Sequence, residues 1–210
     1  NDAVSLAKMA SGTDGNIISY DASGDPVAIA TGDDGQVLTS AGAGAPPAFE
    51  DASGGITEID AWYVDTDTAL GNNLETLITA WTRYNAYSFA QKGTGMSVSS
   101  GIWTFPSTGY WEISSTVNCY TQGDQDYPYS LLEATTNNSS YSRAIMTQRQ
   151  VKDEDMGANT FYYMTFVYIF DCQDTSNYKV KFRCNARNDN TTLQSGIYLS
   201  SLRFVKLSDT

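Results

Sequence analysis

The 210-residue sequence contains no histidine. Histidine is the commonest general base near neutral pH and the commonest neutral metal ligand, so its absence argues against most hydrolases and metalloenzymes. The sequence also has no Gly-x-Ser-x-Gly motif and no phosphate-binding loop. We therefore expect no catalytic residue, no bound metal and no cofactor, and the protein is predicted not to be an enzyme.

Cysteines and basic residues are scarce. Cys119, Cys172 and Cys184 are widely spaced without a Cys-x-x-Cys pair, so we expect reduced core side chains and neither disulfides nor a zinc site. Lys and Arg number 12 against 24 Asp and Glu, which gives a net charge of −12. Nucleic acid and anionic lipid would repel such a chain. The sequence has no signal-peptide pattern and no apolar run long enough for a membrane helix, so a soluble protein without membrane insertion is predicted.

Composition changes near Gly54 and Gly55. Residues 1–55 are mostly Gly, Ala, Ser and Asp, whereas residues 56–210 hold all four Trp and nearly all the other aromatic residues. The first region carries eight acids and one Lys, so more than half of the net charge lies in the shorter region. We predict an extended N-terminal arm, residues 1–55, followed by one folded domain, residues 56–210.

The arm contains a repeat with a period of 20 residues. The segment Ala10-Ser-Gly-Thr-Asp-Gly-Asn-Ile-Ile-Ser19 aligns with Ala30-Thr-Gly-Asp-Asp-Gly-Gln-Val-Leu-Thr39. Each of the two units combines an Asp-Gly turn, a short apolar piece, a turn with Gly and Pro, and a second short apolar piece. Two such units bury too little apolar surface to fold alone.

Two interpretations of the arm are open. Its composition is compatible with a flexible linker. The regular spacing of turn residues and apolar pairs favours an ordered arm instead, whose backbone groups must be satisfied on a partner surface. For that case we expect the anchoring contacts to come from the apolar residues of the two units, namely Ile17, Ile18, Val37, Leu38 and Phe49.

Residues 56–210 have the alternation typical of antiparallel β-strands. Apolar residues alternate with Lys or Arg over residues 178–184, and the odd-numbered residues of the segment 111–119 form a second inward face. Turn clusters such as Pro106–Gly109 separate these runs. We predict an antiparallel sandwich of about eight to ten strands, with a helical turn only within residues 68–80.

One segment, residues 161–170, is apolar or aromatic on both faces. Either this strand lies inside the sandwich with its outer face covered by a loop, or its second face is buried against another subunit. Aromatic faces without charge suit an oligomer interface. For this case we assign the interface to Tyr162, Met164, Phe166 and Tyr168.

Several segments resemble known families. Gly101–Ile113, which contains Trp-Thr-Phe-Pro-Ser-Thr-Gly-Tyr, resembles the core motif of the globular-head jelly roll of complement and tumour necrosis factor relatives, and Ser195–Leu207 resembles its last strand. Together with Gly93–Gly101, the motif is similar to virion proteins of marine and freshwater bacteriophages that use this fold. Residues 12–24 and 35–47 resemble the arms of phage tail-fibre and capsid-decoration proteins. The resemblance implies a ten-stranded jelly roll, a homotrimer assembled through aromatic faces, and a structural or binding role without catalysis.

Polar clusters give weak metal signals. The segment 65–76 superficially has calcium-loop composition, but Leu70 and Thr76 occupy the positions where an EF-hand requires Gly and Glu. Asp124, Asp126 and the acidic run 153–155 are expected to be solvated turn charges, with calcium binding as the alternative.

Three tyrosines near polar turns, Tyr127, Tyr129 and Tyr141, have two interpretations. They could form an exposed patch for sugars, or they could pack beneath the turns or at a trimer contact.

The leading functional hypothesis is a virion structural protein: a trimeric capsid decoration (cement) protein or head-fibre knob. In this hypothesis the arm grips the major capsid protein or another virion protein, and the protein is made in the host cytoplasm and displayed on the outer surface of the particle. The alternative is a tail-fibre adhesin whose jelly-roll loops bind host surface glycans. An enzyme is a third class, disfavoured by the missing histidine and catalytic motifs.

Overall fold

The computed structural model describes residues 11–52, 55–71, 73–86, 91–122, 127–150, 160–187, 190–196 and 198–210. The chain divides into two compact units, Asn1–Gly55 and Ile56–Thr210. Of the predicted boundary pair, Gly54 lies outside the described residues, as do Asp124, Asp126 and the acidic run 153–155. No helix occurs in the described part of either unit.

The described part of the arm consists of two β-hairpins. Each hairpin contains one copy of the repeat, because the first pairs β1 with β2 and the second pairs β3 with β4, both antiparallel. The four strands are β1 (Ile17–Tyr20), β2 (Pro26–Ile29), β3 (Gln36–Thr39) and β4 (Ala48–Asp51).

A side-chain hydrogen bond at equivalent positions closes the open end of each hairpin. In the first unit the Thr31 backbone N–H donates to Oδ1 of Asn16 at 3.0 Å. In the second unit Nε2 of Gln36 donates to Oδ1 of Asp51 at 3.1 Å. Both bonds join residues 15 apart, so the repeat preserves a closing interaction as well as a turn.

The two hairpins nevertheless differ in register by one residue. Ile17 lies opposite Ile29, but in the second hairpin Leu38, not Val37, lies opposite Phe49. The loop between β3 and β4 is longer than the loop between β1 and β2. Because side chains alternate between faces, this offset places equivalent residues of the two units differently relative to their cross-strand partners.

The domain is a sandwich of two antiparallel sheets. One sheet, here called sheet I, runs β14-β11-β17-β5-β8. At the C-terminal end of β11, beyond the part paired with β17, β16 pairs with β11 and β6 pairs with β16. Sheet II runs β13-β12-β15-β10-β9, with β7 beside β15. The strands are β5 (Ile59–Val64), β6 (Thr68–Leu70), β7 (Thr76–Leu77), β8 (Trp81–Arg83), β9 (Ser97–Ser99), β10 (Ile102–Thr104), β11 (Gly109–Thr121), β12 (Tyr129–Thr135), β13 (Ser142–Gln148), β14 (Thr160–Cys172), β15 (Lys179–Asn185), β16 (Thr191–Leu193) and β17 (Ser201–Ser208).

The all-β sandwich predicted from alternation is confirmed. Val180, Phe182 and Cys184 of β15 are fully buried, and the predicted inward face of β11 is buried along its length. The described part of the domain has more than the ten predicted strands because several short pieces, such as β6 and β7, pair separately with β16 and β15.

The predicted helical turn within residues 68–80 is wrong. This segment forms β6 and β7, and Leu70 and Ile78 at its two halves point into the core. The backbone groups of the segment pair with neighbouring strands; for example, Ile78 N–H donates to the carbonyl of Phe182. Tertiary pairing thus overrides a weak local preference.

Aromatic side chains from both sheets meet in the core. The ring of Trp103 lies 5.1 Å from Trp62 and 5.0 Å from Phe204, measured between centroids. Phe105 stacks on Phe170 at 5.1 Å and also contacts Trp111. The Trp-x-Phe-Pro motif therefore supplies the centre of the core.

Gly109, which follows the Trp-x-Phe-Pro motif by three residues, has to be glycine for a steric reason. Its φ is 137°, and a Cβ at this position would lie 2.4 Å from the Ser208 carbonyl oxygen. No side chain fits there, so the start of β11 can approach β17 only with glycine.

A pair of carboxylates fixes the loop that precedes β9. Asp60, which is fully buried, accepts hydrogen bonds from the Met96 backbone N–H at 2.7 Å and from Trp62 Nε1 at 2.8 Å, and it forms an ion pair with Arg83. Glu58 accepts from the backbone N–H groups of Thr94 and Gly95. Both carboxylate oxygens of Asp60 thus have hydrogen-bond or ion-pair partners in the protein interior.

We expect Asp60→Ala to lower the free energy of unfolding by about 3–5 kcal/mol, because the substitution leaves the partly buried Arg83 guanidinium without its counter-charge. The control is Glu112→Ala, which removes the partner of Arg203, a side chain that is 55% exposed and can be solvated by water, and should cost less than about 1 kcal/mol. Urea denaturation at one protein concentration measures both changes. Equal losses in the two variants would contradict the role given to Asp60.

Candidate functional site

Strand β14 presents one face to the core and the other to solvent. Tyr162, Met164 and Phe166 are only 3–5% exposed and lie in the core cluster, and Tyr168 packs against that cluster. Their assignment as interface residues is therefore corrected: these side chains are already covered within a single chain. The exposed face carries four apolar side chains that are 47–59% exposed, here called the β14 ridge: Phe161, Tyr163, Val167 and Ile169.

The ridge lies at a sheet edge. In the described residues β14 pairs with one strand only, β11, over thirteen residue pairs from Gly109↔Cys172 to Thr121↔Thr160. Among the described residues no loop covers the outer face of the strand, which does not support the interpretation of this segment as an inner strand with a covered outer face. A long apolar edge strand is a ready template for association with another chain unless it is covered.

A shallow cavity of about 330 Å³ opens towards the opposite edge of the same sheet. It lies where β5, β17 and the residue after β8 meet, and Tyr84 N–H is held by the Ala61 carbonyl at 2.8 Å. This β5–β17 pocket is lined by Ala61, Trp62, Tyr63, Tyr84, Ser201, Leu202 and Arg203.

Strand register places the ridge and the pocket on one face of sheet I. Val167 lies opposite Ser114, Ser114 lies opposite Arg203, and Arg203 lies opposite Ala61. Directly paired residues project from the same face of a sheet, so the row runs from the ridge to the pocket. Between the two apolar ends the face is polar, with Arg203 donating to Glu112 at 2.9 Å.

The arm offers a different surface. No side chain in residues 11–52 is buried. Of the predicted anchoring residues, Ile17, Ile18, Val37 and Leu38 are 37–55% exposed, and Phe49 is half-buried against the backbone of Gly32. The structure places them on two hairpins and does not bring them into one cluster, so their anchoring role stays a prediction.

Similarity to solved structures rests on the jelly roll. One solved structure, described as murine APRIL at pH 8.0, matches with a TM-score of 0.52 and 13% identity, covering 71% of this chain and 98% of that chain. Another, described as the Eiger TNF from S. frugiperda, matches with a TM-score of 0.50 and 12% identity, covering 73% and 95%. No protein-family model matches the sequence, and neither does any curated protein sequence.

The comparisons support a jelly roll of the tumour necrosis factor type. This agrees with the resemblance carried by Gly101–Ile113 and Ser195–Leu207, whose strands β10, β11 and β17 form the centre of the fold. At these identities the likeness concerns the fold alone.

Cations cover two of the three tyrosines considered for sugar binding. Nζ of Lys181 lies 3.5 Å from the ring centroid of Tyr141, and the guanidinium of Arg143 lies 5.7 Å from that of Tyr129. The Tyr129 hydroxyl also donates to Glu75 at 3.0 Å; burial, followed by this bond, raises the pKa of Tyr129. These rings are partners in a charged network on sheet II.

The turn carboxylates near β6 have structural partners. Asp65 accepts from the Thr82 hydroxyl at 2.5 Å, and Asp67 accepts from the Ser195 backbone N–H at 2.7 Å. In the part of the chain that the structure describes, no group of three or more Cys, Asp or Glu residues could hold a metal ion. The same described residues contain no helix that is long and apolar enough to cross a membrane.

The three cysteines are free and buried, as predicted. Burial raises the pKa of Cys172 to about 11. Burial, with a smaller contribution from the nearby Cys119, raises the pKa of Cys184 well above its usual range. A thiol that stays protonated is a poor nucleophile, so these residues are core side chains and not reactive groups.

Thiol labelling tests this assignment. Because a pKa of about 11 leaves little thiolate at pH 8, we expect Ellman's reagent to modify the native chain about 100-fold more slowly than the unfolded chain. The native rate should also keep rising with pH beyond 9, since the raised pKa delays deprotonation. Rapid labelling that levels off near pH 8.5 would contradict the burial of all three thiols.

Proposed function

We propose that the protein is a homotrimeric structural component of a bacterial virus particle, a capsid decoration protein or head-fibre knob on its outer surface. The jelly roll forms the knob, and residues 1–55 attach the trimer to the major capsid protein or another virion protein. The observation that carries this proposal is the arm: residues 11–52 form regular hairpins in which no side chain is buried.

The lack of a buried core in the arm supports its role in attachment. Two-stranded hairpins are marginally stable alone, and these have four strands without a core of their own. A partner surface that covers Ile17, Ile18, Val37, Leu38 and Phe49 supplies the missing burial. The resemblance of residues 12–24 and 35–47 to the arms of phage tail-fibre and capsid-decoration proteins is the reason for naming a virion protein as the partner.

The ridge and the pocket can join copies of the chain into a ring. The contact is heterologous when the β14 ridge of each copy enters the β5–β17 pocket of the next and its own pocket receives the ridge of a third copy. The competing arrangement is a two-fold dimer in which two copies exchange ridge and pocket reciprocally, and the mass of the assembly distinguishes the two. Heterologous contacts form a closed ring when the rotation between neighbouring subunits is a whole fraction of a full turn, and a rotation of one third of a turn gives a trimer. The jelly-roll fold of the tumour necrosis factor type is consistent with such an assembly.

A substitution on the ridge tests the trimer. We expect Val167→Asp to convert the assembly to folded monomers, because the ridge would bury an unpaired carboxylate against the next subunit. The matched control is Met146→Asp, which makes a comparable change at an exposed apolar residue of sheet II. Light scattering gives the mass and circular dichroism the fold; an unchanged trimer mass in Val167→Asp would exclude the ridge from the interface.

Deletion of residues 1–50 tests the arm. The truncated chain keeps the complete sandwich, so we expect a soluble trimer that no longer binds particles from which the full-length protein has been removed. Electron microscopy and sedimentation with the particles measure attachment. Decoration by the truncated chain at the level of the full chain would contradict the proposal.

A further inference from the structure

The two hairpins of the arm have unequal edges. Strand β2 begins with Pro26, which lacks a backbone N–H donor, and two further prolines, Pro46 and Pro47, directly precede β4. Strands β1 and β3 contain no proline, and each pairs on one side only within the described residues. The outer edges of β1 and β3 are therefore the positions in the arm where another strand can add.

The side chains of these two edge strands are apolar on both faces. Ile17 and Ile18 are consecutive, as are Val37 and Leu38, so in each strand one apolar side chain lies above and the other below the hairpin. All four are exposed. A flat surface would cover only one face, whereas an added strand continues both faces of the hairpin.

Charge selects among the partners that could add such a strand. Neither β1 nor β3 contains a charged residue, and the acids Asp14, Asp21, Asp33 and Asp34 lie at their ends. The region 1–55 has eight acids and one Lys, so a second arm would bring like charges together. A strand edge flanked by Lys or Arg is complementary.

We propose that β1 and β3 bind by β-strand addition to an exposed strand edge of a partner protein, and that basic side chains flank this edge. The inference rests on the proposed function, in which the arm attaches the trimer, and it names the chemistry of the attached surface. Backbone hydrogen bonds hold the strands, the apolar pairs gain cross-strand neighbours on both faces, and the acids at the strand ends contact the basic flanks.

A synthetic peptide of four Lys-Val units serves as the probe, with the full-length protein as receptor. We expect it to bind and to slow amide hydrogen exchange in residues 17–20 and 36–39. A peptide of four Glu-Val units should not bind. The same Lys-Val peptide N-methylated at alternate residues keeps its charge but cannot form the ladder, and it should bind at least about tenfold more weakly.

Paired variants locate the contact. Ile18→Lys combined with Leu38→Lys places a positive charge on both edge strands, which repels the Lys side chains of the peptide, and should weaken peptide binding at least about tenfold. The control combines Ala28→Lys with Ala48→Lys, which adds the same charge to β2 and β4 at exposed positions and should change affinity much less.

Three results would overturn the inference: equal binding of the N-methylated peptide, protection located in β14 instead of the arm, or an arm-dependent mass above a trimer without peptide. The last result would identify a second copy as the occupant of the edges. Failure of the proposed function is distinguishable, because that proposal fails if the chain lacking residues 1–50 still decorates particles, whatever the peptide does. If attachment requires the arm but the peptide assay fails, only the strand-addition inference is wrong.

Discussion

The antiparallel ladder between β11 and β14 determines both the core and the candidate assembly surface. Its thirteen pairs hold the two longest strands of the domain in one register. Because side chains alternate along each strand, this register turns Trp111 and Phe170 into the sandwich together and turns Val167 outward beside Ser114. A slip by one residue would expose the core aromatics and bury the ridge, so the interior packing of a single chain and its outward apolar face are consequences of one set of hydrogen bonds.

The rest of the domain maintains that ladder. Trp103 and Phe105 come from the opposite sheet and pack against aromatic rings carried by sheet I, which fixes the distance between the sheets. Asp60 ties β5 to β8 and to the loop before β9, so the edge of sheet I that carries the pocket is anchored by a buried carboxylate. The arm differs in kind: its hairpins are closed by turns and by side-chain hydrogen bonds, and none of the side chains in residues 11–52 is buried.

Much of the fold could be predicted because alternation is a local property. Segments 111–119 and 178–184 alternate cleanly, and their inward faces are buried as expected, although Asn118 and Lys179 on the opposite faces are buried as well. The doubly apolar segment 161–170 was harder to assign, since the even-numbered and the odd-numbered residues are both almost entirely apolar. Weak signals were present within and just beyond it: Cys172 lies on the same side as the core face, while Thr165 and Asp171 lie on the side of the ridge.

The pocket could not be predicted at all. Its lining residues Tyr63, Tyr84 and Arg203 come from three distant segments, and only the pairing of β5 with β8 and β17 brings them together. The register offset in the arm escaped prediction for a related reason, because loop length and not the repeat sets which apolar residues face each other.

In the proposed assembly the ridge and the pocket are two halves of a heterologous contact that closes a ring of three. Sedimentation equilibrium of the full chain measures the mass of this assembly. We expect a mass of three times the 22.8 kDa of one chain, independent of concentration over the working range. A stable species of one or two chains would contradict it.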